Sequence, residues 1–374
     1  MLVVHIIKAT GLAGAEAHLI ALLPALRPLG IETELLVLAE PERRPEAFLA
    51  AARTAGIMVT TLPIYVDADP ALPFRLARHL RAALPTIVHT HLIHADLHAA
   101  AALSISNYRL PIALVISRHN DDRFRRLAMV KAINRAAAHR ARKLIAISDA
   151  LAEFAVRVEG VPRAKVTRIH YGLDPQAYLA RAVPGAIRRE MGWDENVPVA
   201  AFVGRLTAQK GVETLIAAWP IVAARLTAAH LIVAGDGELR SKLQPLSPNP
   251  SVHFLGWRSD VPNLLTDADV LVAPSLWEGF GMVTLEAMAA RKPVVASRVS
   301  ALPEIVADGE TGLLVPPSDP ERLAEALVAV LSDPARARRM GEQGRARLEA
   351  EFSVRKMAER HAEVYEALPL AERG

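Results

Sequence analysis

Residues 268–289 of the 374-residue chain decide the fold, and they read ADVLVAPSLWEGFGMVTLEAMA. The apolar start of this stretch predicts a buried strand that ends at Pro274, and the later residues predict a helix that begins near Val283. The loop between them would present free backbone N–H groups and the positive end of the helix at the carboxyl end of the strand. Parallel α/β domains bind ligands in this position.

The same loop carries two carboxylates. Glu278 lies at the exit of the strand and Glu286 in the first turn of the helix, so both can accept hydrogen bonds from the paired hydroxyls of one ribose or hexose. Gly279 and Gly281 allow the backbone to approach a ligand closely, because neither residue has a Cβ. A surface glutamate and a second glutamate near a helix N-terminus would have the same spacing without a function, and this alternative stays open.

Strand-like apolar runs alternate with helical patterns along the chain, which is typical of parallel βαβ units. The predicted strands are residues 2–7, 34–38, 86–89, 112–116, 143–147, 165–169, 199–203, 229–233, 252–254, 270–273, 293–296 and 312–315. A polar stretch with proline and glycine, residues 181–198, breaks this alternation. We therefore expect an α/β protein of two doubly wound Rossmann-like domains, residues 1–180 and 198–352, facing a central cleft. Residues 353–374 would form a C-terminal helix, and the pattern leaves open whether it returns to the first domain.

Two further loops follow predicted strands. Arg205 and Lys210 come directly after residues 199–203, where two fixed cations can bind a diphosphate and neutralise it as it leaves. Two exposed cations near the start of a helix are the alternative. A loop with Gly11 and Gly14 follows the first strand, but its Gly-x-x-Gly spacing is not the dinucleotide-binding fingerprint.

Together these loops resemble the retaining GT-B glycosyltransferases of family 4. Glu278 and Glu286 match the E-x7-E motif of that family, and residues 204–211 match its G-R-x-x-x-x-K-G signature residue for residue. The loop at Gly14 is similar to the G-G-x-E loop of the family, with Ala13 in place of the first glycine. His119 resembles the cleft histidine that contacts the donor sugar or the acceptor, whereas a capping or core histidine is the alternative.

The resemblance implies a role for each of these residues. Glu286 would hold the nucleotide ribose, Glu278 would lie beside the donor sugar, and the two cations would hold the diphosphate. The predicted catalytic residues are Arg205, Lys210, His119 and Glu278. The predicted donor-binding residues are Gly14, Gly279, Phe280, Gly281 and Glu286.

Histidines are concentrated in one part of the first half, at His89, His91, His94 and His98. The last two are four residues apart, which could place them on one helical face as zinc ligands. No carboxylate–histidine signature surrounds them and the resembled family is metal-independent, so we predict no metal site. We assign His94 and Arg118 to the acceptor side.

Composition limits the classes of protein that the chain can belong to. It contains no cysteine, which excludes disulfides and thiolate metal sites. The apolar start of the chain is too short for a signal peptide or a membrane span and predicts a buried strand of a cytoplasmic protein.

Positive charge is concentrated in the first half of the chain. Residues 1–180 hold 22 Lys and Arg against 15 Asp and Glu, and residues 118–143 alone hold nine basic residues against two acidic ones. This stretch favours an anionic membrane surface or a phosphorylated acceptor, and a solvated helix face is the alternative.

The sequence thus predicts a retaining, metal-independent glycosyltransferase that moves a sugar from a nucleotide diphosphate donor to an unidentified acceptor. The acceptor would be a sugar or a lipid-linked glycan, for example a polysaccharide precursor. No cofactor and no nucleic acid are expected, and the protein would work in the cytoplasm, peripherally at the inner face of the membrane. An epimerase or hydrolase would need an acid/base pair that we do not find, and a polyanion-binding protein would not need these loops.

Overall fold

The computed structural model describes residues 1–67, 69–105, 112–120, 128–246 and 249–368. The chain divides into two compact units, Met1–Gly172 with Val354–Gly374, and Leu173–Ser353. We call them the first and the second unit and describe each by itself. In the described part of the chain, every helix is too short or too polar to cross a bilayer.

The first unit is built on a parallel seven-stranded sheet with the order β3-β2-β1-β4-β5-β6-β7. Its strands are β1 (Leu2–Lys8), β2 (Glu32–Ala39), β3 (Met58–Pro63), β4 (Ile87–His91), β5 (Ala113–Arg118), β6 (Lys143–Ala146) and β7 (Val166–Arg168). Its helices include α1 (Gly14–Leu26), α2 (Glu46–Thr54), α3 (Leu72–Ala83), α4 (Ile93–Ile105), α5 (Ala128–Arg140) and α6 (Asp149–Arg157), with 3-10 turns at Arg27–Leu29 and Arg163–Lys165. Apolar residues lie on both faces of the sheet because helices cover both of its sides.

The second unit is built on a parallel six-stranded sheet with the order β10-β9-β8-β11-β12-β13. Its strands are β8 (Val199–Val203), β9 (His230–Ala234), β10 (Val252–Gly256), β11 (Val270–Ala273), β12 (Val294–Ser297) and β13 (Gly312–Val315). Its helices are α7 (Pro175–Leu179), α8 (Ala186–Met191), α9 (Val212–Arg225), α10 (Arg240–Leu246), α11 (Val261–Asp267), α12 (Met282–Ala289), α13 (Leu302–Ile305), α14 (Pro320–Leu331) and α15 (Pro334–Glu351), with a 3-10 turn at Ala208–Lys210.

The division between the units lies at Gly172, before the predicted break at 181–198. Residues of that predicted linker are part of the second unit, because α8 packs on α11. The preceding helix, α7, packs on α12 of the same unit. The carboxylate of Asp267, in α11, fixes the contact between α8 and α11, since its oxygens accept hydrogen bonds from the backbone N–H groups of Gly185 and Ile187 at 2.6 and 2.7 Å.

The last helix, α16 (Val354–Glu366), belongs to the first unit, where it packs on α1. It buries Met357 and Tyr365 against the face of the sheet that carries Val3 and Ile7. The first unit therefore consists of two separate pieces of the chain.

Candidate active site

The loop after β8 is fixed against the end of β11. Gly211 has a φ of +63°, and a Cβ at this position would lie 1.9 Å from the carbonyl oxygen of Pro274. Only glycine permits this approach. The backbone N–H of Leu276 donates to the carbonyl oxygen of Gln209 at 2.8 Å, so the loop with Arg205 and Lys210 is held beside the loop with Glu278.

Lys210 and Glu278 form an ion pair across these two loops. Their side chains are 19% and 12% exposed, and the hydroxyl of Ser275 lies 3.4 Å from the same carboxylate oxygen. An ammonium group has three N–H donors, so Lys210 can keep this bond and still donate to a phosphate oxygen. The structure thus brings together a predicted diphosphate cation and a predicted sugar-binding carboxylate.

Arg205 is exposed and donates a hydrogen bond to the side chain of Gln209 at 3.3 Å. The side chain of Gln209 in turn donates to the carbonyl oxygen of Trp277 at 3.2 Å. A guanidinium in this position lies at the rim of the same site and presents further donors to a ligand.

Gly281 begins α12 with a φ of +94°, a conformation that side chains rarely adopt. A Cβ on Gly281 would lie 3.3 Å from Cγ of Glu278, so the N-terminal end of α12 lies directly against that side chain. The hydroxyl of Thr284 donates to the carbonyl oxygen of Gly281 at 2.6 Å and stabilises the turn. The positive end of the helix is therefore placed beside the ion pair.

The prediction for Phe280 needs correction. Its side chain is 2% exposed and lies edge-on to Phe352 with 6.2 Å between ring centroids. A ring buried in the core cannot contact a ligand, so Phe280 contributes through its backbone and through packing of the loop.

Glu286 lies on α12, one turn past its start, and is partly buried. Burial raises the pKa of its carboxyl to about 7, against the opposing effects of Arg181 and of Tyr178. The hydroxyl of Tyr178, on α7, lies 3.5 Å from Oε2 of Glu286, a long contact that a better-placed hydroxyl could replace. Sequence reasoning missed Tyr178, because only the packing of α7 on α12 brings it to this site.

In the first unit, Gly14 begins α1 at the carboxyl end of β1, and nothing lies within 4 Å of where its Cβ would be. The carboxylate of Glu16 accepts the backbone N–H of Ala13 at 3.1 Å and so caps the helix. The space beside Gly14 is open, as a ligand-binding loop requires.

His94 lies in a polar cluster at the same edge of this sheet. Its Nε2 is 3.2 Å from Oδ1 of Asp67, and Nζ of Lys8 is 2.6 Å from that oxygen and 2.9 Å from Glu40. Nε2 of His98 lies 3.0 Å from the carbonyl oxygen of Asp67. The two predicted histidines thus meet one exposed acidic loop, and Lys8 and Asp67 join the candidate acceptor side although the sequence did not single them out.

Arg118 lies inside the first unit. Its side chain is 1% exposed and forms ion pairs with the buried carboxylates of Asp96 and Glu159. The guanidinium thereby joins β5, α4 and the residues after α6 in the core. An acceptor contact would have to replace one of these ion pairs, and the acceptor-side role of Arg118 stays a prediction.

His119 is also mostly inside the first unit, with 9% of its surface exposed. Its Nε2 is 2.9 Å from Nδ1 of His91, and its Nδ1 is bonded to the hydroxyl of Tyr171. A ligand contact would have to replace one of these bonds, and the role of His119 remains a prediction.

In the basic stretch 118–143, residues 121–127 lie outside the described residues, whereas Arg135 and Arg140 of α5 are exposed.

Two family profiles match this chain in succession. The glycosyltransferase family 4 profile matches residues 12–177, and the glycosyl transferases group 1 profile matches residues 185–347. Alpha-maltose-1-phosphate synthase from Mycobacterium tuberculosis is 33% identical over 327 residues, 76% of this chain and 79% of that protein. The chain belongs to family 4 of the glycosyltransferases.

Other members of family 4 match over shorter stretches. The Mycolicibacterium smegmatis protein of the same name is 38% identical over 256 residues, 62% of this chain and 65% of that protein. Further curated relatives match over 51% of their own length. Among solved structures, HepE from Anabaena in complex with UDP superposes with a TM-score of 0.82 at 21% identity, covering 98% of this chain and 100% of that chain. The expected GT-B class, with two Rossmann-like sheets, is confirmed.

Proposed function

We propose that this protein is a retaining glycosyltransferase that transfers a sugar from a nucleoside diphosphate donor to an acceptor without a metal at the diphosphate. The Lys210–Glu278 pair carries the proposal. It sets a cation for phosphate and a carboxylate for sugar hydroxyls side by side, against the N-terminal end of α12. Glycosyl transfer from a diphosphate needs both groups at one place.

The second unit supplies the electrostatics of this reaction. Negative charge grows on the diphosphate as the glycosidic bond breaks, so Lys210, Arg205 and the α12 terminus stabilise the transition state more than the ground state. In a front-face attack, the leaving phosphate oxygen accepts the proton of the acceptor hydroxyl, and no protein nucleophile is required. The ion pair between Glu278 and Lys210 agrees with a mechanism that has no protein nucleophile, because a carboxylate whose charge is balanced by an ammonium group is a poor nucleophile.

The donor nucleotide is held by Glu286 in this proposal. Its carboxylate would accept hydrogen bonds from the paired ribose hydroxyls, which replace the long contact with Tyr178. HepE was solved with UDP, which supports a nucleoside diphosphate as part of the donor. The sugar and the base stay open.

In this proposal the acceptor side lies in the first unit, around His94, and Gly14 lies against the donor. We propose a sugar or lipid-linked glycan as acceptor, and work in the cytoplasm, peripherally at an anionic membrane surface. The exposed arginines of α5 and the excess of basic residues in the first half support this proposal.

Donor consumption tests the function. Unfolding temperatures with UDP, GDP, ADP and their sugars first identify the donor, because a ligand that binds only the folded state raises its stability. Radiolabelled donor should then be consumed rapidly only when acceptor is added. Equal consumption without acceptor would indicate a hydrolase or an epimerase instead.

A further inference from the structure

A layer of imidazole and phenol rings is buried in the first unit, between the sheet and helices α1 and α16. The chain has 13 histidines, and six of them lie here with at most 9% of their surface exposed. The layer consists of His5, His18, His89, His91, His119, His361, Tyr171 and Tyr365. Histidine is usually only partly buried, so this concentration calls for a physical reason.

Three of these histidines converge on one point. His5 in β1 is the register partner of His89 in β4, and His91 follows two residues later on the same face of the sheet. The ring centroids are 4.4 to 5.3 Å apart. One ring nitrogen from each of the three lies within 4.8 Å of the other two.

The three imidazole rings are fully buried, with none of their surface exposed. A neutral imidazole offers the lone pair of one ring nitrogen to a metal ion. Nε2 of His5 is buried and has no hydrogen-bond partner among the described residues.

The other ring nitrogens have partners that would orient the rings. Nδ1 of His89 is 2.6 Å from the hydroxyl of Tyr365, and Nδ1 of His91 is 2.9 Å from Nε2 of His119. Histidine ligands of metal ions usually bond to such an outer partner, which fixes the tautomer and the ring plane.

We propose that His5, His89 and His91 form a binding site for one divalent transition-metal ion of the class that prefers imidazole, with zinc as its main member. Zinc–nitrogen bonds are about 2.0–2.1 Å long, so small rotations of the three rings bring their nitrogens to one ion. The ion would open two contacts: the hydrogen bond between Nδ1 of His5 and Nε2 of His91, at 3.0 Å, and the one between Nε2 of His89 and the hydroxyl of Ser117, at 2.8 Å.

The ion is structural and takes no part in glycosyl transfer. It would join β1 to β4, and through the bond between His89 and Tyr365 it would support the docking of α16. This site belongs to the first unit and does not depend on the proposed function, which concerns the diphosphate in the second unit.

The full chain, expressed without a polyhistidine tag and with added zinc, tests the site by elemental mass spectrometry. A Co²⁺ titration followed by visible absorption reports the geometry, because tetrahedral Co²⁺ absorbs much more strongly than the hydrated ion. We expect near-stoichiometric zinc, intense Co²⁺ bands, and Co²⁺ binding at least about 100-fold weaker in His5→Gln and His91→Gln.

His230→Gln is the matched control. Nδ1 of His230 is 3.0 Å from Nε2 of His253, the same separation as between His5 and His91, but this is a half-buried pair rather than a fully buried triad. The control should bind Co²⁺ like the wild type. If wild-type protein holds no zinc and gives only the spectrum of hydrated Co²⁺, the proposal fails and the layer is a metal-free hydrogen-bonded core. That result is decisive even if the His5 and His91 variants do not fold.

Discussion

Replacement of Lys210 by alanine removes the most enclosed cation of the proposed diphosphate site. The Lys210 side chain is only 19% exposed, so little water can screen its charge. A hydrogen bond to a charged group contributes about 1.5–3 kcal/mol, which corresponds to roughly 10- to 150-fold in rate if the bond acts only in the transition state. The variant also leaves Glu278 without its counter-ion beside the donor phosphates. We therefore expect kcat to fall at least about tenfold.

The design separates this effect from a general loss of structure. Steady-state kinetics are measured for Lys210→Ala, for Lys210→Ala with Glu278→Gln, and for Lys242→Ala, with folding checked by circular dichroism. Lys242 pairs with Glu213 at 2.6 Å on the exposed surface of the same unit, and its replacement should leave kcat unchanged. The double variant should recover part of the loss, because the unpaired carboxylate is gone. An unchanged kcat in Lys210→Ala would refute the assignment of this loop.

Four further predictions concern the donor, metals and membranes. Glu286→Ala should raise the donor KM with little change in kcat, because the ribose hydroxyls keep their charge during transfer. The pKa of Glu286 is about 7, and ribose hydroxyls donate hydrogen bonds to its ionised form. The affinity for UDP, measured by calorimetry, should therefore fall roughly tenfold when the pH is lowered from about 8 to about 6. The Glu286→Gln variant should not show this fall. If UDP affinity changed with pH equally in the wild type and in Glu286→Gln, the proposed role of Glu286 would be contradicted. Activity should persist directly after EDTA is added; complete loss that magnesium restores would show that the diphosphate site uses a metal. Anionic vesicles should sediment the protein at low salt and release it at high salt, whereas equal sedimentation with neutral vesicles would remove the membrane hypothesis.

The parts of the fold that are local in sequence could be predicted. The strand, loop and helix of residues 268–289 lie as expected, because the turn at Gly281 and the helix start are set by neighbouring residues. β3 was missed because it is an edge strand of half-exposed residues without a strong apolar run. The assignment of α7 and α8 to the second unit could not be predicted from local pattern, because these helices are held by partners about 80 to 110 residues away along the chain.

Side-chain roles were harder to predict than elements. Arg118 looked like a site residue at a strand end, but its partners Asp96 and Glu159 are 22 and 41 residues away, and the sequence gives no sign of that pairing. Phe280 lies in a binding motif, yet its ring meets Phe352, which follows α15. Burial and pairing between distant residues depend on tertiary packing, which a periodicity analysis does not contain.

The return of α16 to the first unit has a consequence for biosynthesis. The chain leaves the first unit at Gly172 and comes back beside it, because the backbone N–H of Gly172 contacts Sδ of Met357 and the N–H of Leu173 bonds to the carbonyl oxygen of Phe352. Residues 173–353 are synthesised before α16, so the first unit lacks one wall of its core until the sequence of the second unit is complete. Until the last helix is made, the apolar face around Val3 and Ile7 stays open to water and to chaperones.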